Sequence, residues 1–255
     1  MTVQLSAVVL AHNEARHLPD CLATLQWVDE LIVLDSYSTD GTAQIAEAAG
    51  ATVVQRPFVN FGTQRQAALE MAQGDWLLFV DADERVPASL IAEIQRTLAT
   101  KPHEDGWWIP RRNYFWGHAL QASGWWPDHQ LRLLRRANAH YDLTQHVHEV
   151  ATLAGAAGYL TEPMLHLNYD SWREFWRKQQ RYAEHEGYKL AERGLRWKPR
   201  NMLLQPLRAF HRRFVTWQGW RDGPIGLQLA LAMAWWEGVA YWELRRVERE
   251  KREGI

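Results

Sequence analysis

Over the first hundred residues, short apolar runs alternate with stretches whose apolar residues recur every three or four positions. Leu5-Ser6-Ala7-Val8-Val9-Leu10-Ala11 is a run of strand formers, and Leu18, Leu22 and Leu25 then mark a helix. Leu31-Ile32-Val33-Leu34 repeats the strand, Asp40-Gly41-Thr42 opens a helix over 43–49, Thr52-Val53-Val54 is a third strand, and 61–72 is a further helix. Trp76-Leu77-Leu78-Phe79-Val80 is the fourth strand. Apolar strands joined by helices of about ten residues predict an α/β fold, a mostly parallel sheet with helices on both faces. In such a sheet ligands gather at the carboxyl ends of the strands.

Composition narrows this picture. With 255 residues, 47% of them hydrophobic, the chain buries a sizeable core without disulfides, and its single cysteine, Cys21, has no partner within the chain. No basic segment followed by an apolar run precedes the first strand, so the cytoplasm is the expected location. A formal charge of −1 argues against a nucleic-acid partner, because phosphate-backbone binders carry a basic excess.

The predicted strand ends carry His12-Asn13-Glu14, Asp35-Ser36 and Asp81-Ala82-Asp83-Glu84. Alternation along an extended chain projects Asp81 and Asp83 to one side, where both carboxylates can approach one cation. Only a compensating positive charge makes that crowding tolerable. A divalent ion held by one or two carboxylates and completed by substrate phosphates is one such arrangement. Carboxylates at three successive strand ends also suit a base edge and ribose hydroxyls, whereas Asp40 reads as a helix cap for the turn at Gly41-Thr42.

These residues resemble a known family. Leu5 through Glu14, Asp35 through Thr42 and Asp75 through Asp83 are similar to the nucleotide-sugar domain of family 2 glycosyltransferases, which have the Rossmann-like GT-A fold. Gly124-Trp125-Trp126-Pro127-Asp128, Arg132-Leu133 and His148-Glu149 resemble the bacterial lipopolysaccharide-core glucosyltransferases that act on inner-core heptose. The resemblance implies an inverting, metal-dependent transferase using a UDP-sugar, with glucose as the sugar. It implies that Asn13, Glu14 and Asp35 hold the nucleoside, that Arg65 approaches the base or diphosphate, and that Asp81 and Asp83 bind Mg2+ or Mn2+. Gln66 departs from the family, which often has Asn after the basic residue.

Beyond residue 105 the rhythm breaks, and Trp107, Trp108, Trp116, Trp125 and Trp126 crowd among arginines. The division expected is a donor half over 1–105, an acceptor half over 106–168 and a helical region over 169–255. Indole faces suit sugar rings and also fill cores; Arg111, Arg112, Arg132, Arg135 and Arg136 suit an acidic acceptor. Transfer to an alcohol needs a proton acceptor. Asp128 is the candidate base, Arg132 a group that orients that carboxylate or the diphosphate, and Glu149 a rival beside His148. A zinc site at His146 and His148 is disfavoured, since no cysteine accompanies them, and His166 reads as a buried hydrogen-bonding residue.

From Arg193 to Arg221 there are eight Lys or Arg and no Asp or Glu. Leu203, Leu207, Phe210, Phe214 and Trp217 share one helical face, with Pro206 placed near a helix start. That pattern predicts either docking on the catalytic domain or a helix lying on an anionic membrane, hence a peripheral enzyme on the inner face of the cytoplasmic membrane acting on a lipopolysaccharide core or lipid-linked saccharide. Ile225 to Leu244 is apolar but interrupted by Gln228, Glu237 and Glu243, which favours a buried or interface-bound helix over a spanning one. Two other classes use parts of this equipment. A nucleotidyltransferase would need a glycine-rich phosphate loop that His12-Asn13-Glu14-Ala15 does not supply, and a non-catalytic sugar- or lipid-binding protein would tolerate loss of Asp81 or Asp128.

Overall fold

A computed structural model of the chain describes residues 4–142 and 150–253. The elements in order are β1 (Leu5–Ala11), α1 (Leu18–Ala23), β2 (Glu30–Asp35), α2 (Thr42–Ala48), β3 (Thr52–Gln55), α3 (Phe61–Met71), β4 (Trp76–Asp81), β5 (Glu84–Arg85), α4 (Ala88–Ala99), β6 (Gly106–Phe115), β7 (His118–Ala119) and β8 (Asp128–Arg135). There follow β9 (Ala139–His140), β10 (Thr152–Leu153), β11 (Ala157–Tyr159), β12 (Met164–Tyr169), α5 (Trp172–Glu192), α6 (Asn201–Phe210), a π-helical stretch His211–Thr216, a 3-10 turn Gly219–Asp222 and α7 (Gly223–Glu253). The chain divides into two compact units, Met1–Arg112 with His129–His166 and Asn113–Asp128 with Leu167–Ile255. The segment 106–168, expected to form one half, contributes to both.

In the first unit the sheet order is β3-β2-β1-β4-β8-β6-β12-β5. β3, β2, β1 and β4 are mutually parallel, as the strand-helix rhythm requires; β8 then joins β4 antiparallel and β12 joins β5 antiparallel. Alternate residues feed two cores. Ala7, Val9, Val33, Leu78 and Val80 pack with Leu18, Cys21 and Leu22 of α1 and Leu90, Ile94 and Leu98 of α4. Val8, Ile32, Leu34, Leu77 and Phe79 pack on the other face with Ala68 and Leu69 of α3. This burial on both faces is why the strands read as continuous apolar runs rather than alternating ones.

The register fixes the strand ends. Ala11 pairs with Asp35 and Leu10 with Asp81, so β1 lies between the two aspartates, which are roughly 10 Å apart at the usual strand spacing.

The second unit is aromatic and helical. Phe115, Leu120, Tyr169, Phe175 and Leu229 form a core against which Trp116, Trp125 and Trp172 pack, with the rings of Trp116 and Trp172 stacked at 4.3 Å. Core packing therefore accounts for Trp116 and Trp125, as it does for Trp107 in the first unit. Pro206 sits inside α6 rather than at its start, so the helix lacks the N–H that would bond one turn back. The apolar stripe expected over 203–217 is broken by the π-helical stretch, and Trp217 lies beyond it, its ring against Gly124. Among the described residues no helix is long and apolar enough to cross a membrane.

Candidate active site

The loops after β1 and β2 are knitted together by the side chains of the Ser-Thr-Asp-Gly-Thr motif. Ser38 Oγ accepts from the Asn13 amide at 2.8 Å, Thr42 Oγ1 from the Glu14 amide at 2.9 Å and Asp40 Oδ2 from the Ala15 amide at 3.1 Å. In return Asn13 Oδ1 accepts from the Thr39 amide at 2.8 Å, and Asn13 takes a left-handed φ of 57°, which Asn tolerates better than most residues. Asp40 also accepts from the Thr42 amide and hydroxyl, so its carboxylate is structural, as the helix-cap reading expected. Hydrogen bonding holds its carboxyl below the usual Asp range.

Asp35 is fully buried. Its oxygens accept from the Ser38 amide and hydroxyl and from Gln55 Nε2 at 3.1 Å. Its first task is thus to shape the 36–40 loop, and any contact with a nucleoside passes through the outer edge of that network. The loop presents Tyr37 with its ring 55% exposed and its backbone left-handed, a residue that sequence reasoning did not single out.

At the end of β4 the carboxylates of Asp81 and Glu84 are partnered by arginines. Arg132 of β8 donates to both oxygens of Asp81 and, at 2.8 Å, to Glu84 Oε1. Arg111 of β6 reaches the same Glu84 oxygen at 3.3 Å, and Arg65 of α3 stands 4.0 Å from Asp81. Glu84 is completely buried and its second oxygen accepts from the Asp81 amide at 2.8 Å. Burial alone would raise the Asp81 carboxyl; Arg132, then Arg65 and Arg111, outweigh it and hold Asp81 well below the usual carboxylate range. For Glu84 burial wins, with the neighbouring Asp81 adding to it, and its carboxyl is pushed up. The positive charge demanded by the crowded carboxylates is thus supplied at Asp81 by the protein itself.

Arg132 was expected to orient Asp128 or the diphosphate. Its guanidinium binds Asp81 and Glu84, because β8 runs antiparallel to β4 and carries residue 132 to the end of β4. Arg135 and Arg136 are likewise not an acceptor clamp. Trp76 pairs with Arg135, which places both arginines at the amino end of β4, about 17 Å along the strand from Asp81. There Arg135 binds Asp105 and Pro102 O and stacks on Trp76, while Arg136 binds Gly74 O. Gln66 accepts from the Tyr141 amide at 2.9 Å, and Arg65 is a mostly buried side chain facing Asp81 rather than an exposed helix cation.

Asp83 has a different surrounding. β12 pairs with the two-residue strand β5 so that His166 lies opposite Glu84, and this brings His166 Nε2 to 3.3 Å from Asp83 Oδ2. His166 was read from the sequence as a buried hydrogen-bonding residue, without a partner named; here it is buried and faces Asp83. Among the described residues no three His, Cys, Asp or Glu gather around one point. Cys21 lies behind the site, its thiol 3.6 Å from the Asp81 carbonyl and pushed up by burial, which leaves it unreactive.

Asp128 opens β8 in the second unit, after a cis Trp126-Pro127 peptide. The buried Asn113 holds this turn: its Nδ2 donates to Trp125 O at 2.8 Å and faces Asp128 Oδ2 at 3.4 Å, and its Oδ1 accepts from Asn168 at 3.2 Å. Glu149, His146 and His148 lie outside the described residues.

The chain is 30% identical over 236 residues to a lipopolysaccharide core biosynthesis glycosyltransferase, LpsC, of Rhizobium meliloti, covering 90% of this chain and 87% of that one. An uncharacterized glycosyltransferase of Rickettsia bellii is 36% identical over 102 residues, 40% of this chain and 35% of that protein. The crystal structure of S. aureus TarS 1-349 superimposes with a TM-score of 0.50 over 99% of this chain and 92% of its own at 16% identity, which shows the shared GT-A fold. The sequence model of glycosyl transferase family 2 matches residues 6–157, well over half of the chain, and the chain belongs to that family.

Proposed function

We propose that the protein is an inverting hexosyltransferase that moves glucose from UDP-glucose to an inner-core heptose of lipopolysaccharide or a similar membrane-linked glycan. The observation that carries the reading is the meeting of Asp83 and His166 beside the arginine-bound Asp81 at the carboxyl ends of the parallel strands, the end at which ligands gather in sheets of this kind. Similarity to LpsC supports the class of acceptor, and the family supports transfer over nucleotidyl chemistry or simple binding.

Asn13, Glu14, Asp35 and the exposed Tyr37 ring would line the nucleoside, with Arg65 toward the base or diphosphate. Asp81 and Asp83 would hold a divalent cation, Mg2+ or Mn2+, with His166 beside Asp83 and the remaining ligands supplied by the diphosphate. Such an ion supplies charge stabilisation for the departing UDP. Asp128 takes the proton of the acceptor hydroxyl as that oxygen attacks the anomeric carbon from the face opposite the diphosphate, with Glu149 as the alternative base. Incubation with UDP-glucose and truncated lipopolysaccharide tests the reading directly: an acceptor heavier by one hexose supports it, and an unchanged acceptor across a panel of UDP-sugars opposes it.

We further propose a peripheral position on the cytoplasmic face of the membrane. In the second unit, Leu227, Leu231, Trp235 and Trp242 form an exposed face of α7, with Leu231 55% and Trp235 63% exposed, and Leu203 and Leu207 are exposed on α6. Trp235 and Trp242 border one apolar groove with Met202 and Pro206, so the two helices share this surface. The basic run 193–221 leads to and follows α6, supplying attraction to anionic lipid. Replacing Leu231 and Trp235 together by Ser is expected to weaken flotation with anionic vesicles roughly tenfold or more, from the apolar area withdrawn. Equal flotation of variant and parent would remove α7 from the interface.

A further inference from the structure

The second unit holds a cavity that the transferase chemistry above does not use. It has a volume of about 320 Å3 and is bordered by Gln121 and Trp126 on one side and by Trp217, Gln218 and Arg221 on the other. We infer that this cavity is a subsite for one anionic sugar ring of the acceptor, a pyranose bearing a carboxylate or phosphate. The inference rests on the glycosyltransferase reading of the chain.

The cavity is built, not incidental. Asp222, buried at its base, accepts from the Gln121 amide at 2.7 Å and the Ala122 amide at 3.2 Å, clipping the 121–126 turn to the 3-10 turn 219–222. The Ser123 amide donates to Trp217 O at 2.9 Å, and Arg213 donates to Ser123 O at 3.0 Å. Ser123 and Gln218 both take left-handed backbone angles, with φ of 60° and 54°, which L side chains adopt at a cost and which concentrate at ligand sites. The chain enters the cavity directly from the π-helical stretch His211–Thr216, a feature also frequent at such sites. At Gly124 a Cβ would fall 2.5 Å from the Trp217 ring, so only glycine lets the indole lie where it does.

The lining matches the ligand. Trp126 and Trp217, the latter with Arg212 and Arg213 over its ring, bring indole surface to the lining for the C–H side of a sugar ring. Gln121 and Gln218, whose Oε1 accepts from Arg221 at 3.3 Å, bring amide groups for the sugar's hydroxyls. Arg221 is the one charged residue of the lining, and the nearby Asp222 carboxylate is turned away into the backbone amides. The local field therefore favours a negative substituent, with the guanidinium able to bind carboxylate or phosphate through two N–H groups. The volume is at the small end of ligand sites, suited to a single ring. Only Pro127 separates Trp126 from Asp128, which ties the cavity to the acceptor side of the reaction.

The test uses the full-length protein with 15N-labelled indoles, the signals of Trp126 and Trp217 being assigned with Trp126→Phe and Trp217→Phe. Glucuronate and glucose 6-phosphate are expected to shift both signals saturably. Glucose should bind at least tenfold more weakly, and inorganic phosphate should not match glucose 6-phosphate. Arg221→Gln, at an exposed position, should abolish the preference for the charged sugars. Indoles unmoved by any probe, inorganic phosphate as effective as the sugar phosphate, or an Arg221→Gln protein that titrates like the parent would each overturn the subsite. Turnover of UDP-sugar by the same preparation separates the two ideas: turnover with silent indoles removes the subsite alone, and responsive indoles without turnover retain a sugar site while removing the transferase.

Discussion

Replacing Asp128 by Asn is expected to lower kcat about a thousandfold, within the range that a positioned general base contributes, and to leave UDP-sugar binding unchanged. The substitution keeps an oxygen where Asn113 Nδ2 faces Asp128 Oδ2, so the turn held by Asn113 survives and the loss reports chemistry instead of folding. A matching thermal midpoint for variant and parent would confirm this. A loss below tenfold would move the base role away from Asp128 and toward Glu149, the other carboxylate that resembles a family acceptor-side residue.

Arg132→Met is the substitution with the largest expected effect on stability. Met replaces the stem of the side chain while removing the guanidinium that binds Asp81 and the buried Glu84. Removing one member of a buried ion network costs about 3–5 kcal/mol, because the charges left behind are no longer compensated. The pH dependence has a definite sign. In the parent, the depressed Asp81 carboxyl contributes stability that is complete above its ordinary value of 3.8 and lost as pH falls below it. In the variant, Asp81 loses its principal cation and its carboxyl rises, and Glu84, already pushed up by burial in the parent, is pushed up further, so the folded state takes up protons more readily. The variant therefore regains stability relative to the parent as pH falls from 7 to 5. Urea unfolding at the two pH values measures this. A gap under 1 kcal/mol at pH 7, or one that widens at pH 5, would contradict the role given to Arg132.

The parallel half of the fold was legible because its strands are buried on both faces and its helices are short and regular. Asp35 and Asp81 could be placed at strand ends from the apolar runs alone. Their partners could not. Arg132 meets Asp81 only because β8 joins β4 antiparallel, and an antiparallel strand arriving about fifty residues later leaves no periodic signal of where it will pair. The same holds for His166, which reaches Asp83 through a two-residue strand, Glu84–Arg85, too short to show any pattern. The Asp-x-Asp spacing predicted two carboxylates on one side of the chain; their neighbours, Arg132 at Asp81 and His166 at Asp83, left no such signal. In the C-terminal region the helices were visible in the sequence, but Pro206 was misplaced because a proline inside a helix is costly and the expectation followed that cost. Ile225 to Leu244 read as a buried or interface-bound helix, and the spacing of Leu227, Leu231 and Trp235, every four residues, puts them on the exposed face of α7.

The most direct test of the central claim is release of UDP from UDP-glucose by the purified protein, with and without truncated lipopolysaccharide and with Mn2+, Mg2+ or chelator. Release that requires the acceptor and stops with chelator is the result predicted. Release that is indifferent to the acceptor, or no release despite measurable UDP-glucose binding, would contradict it.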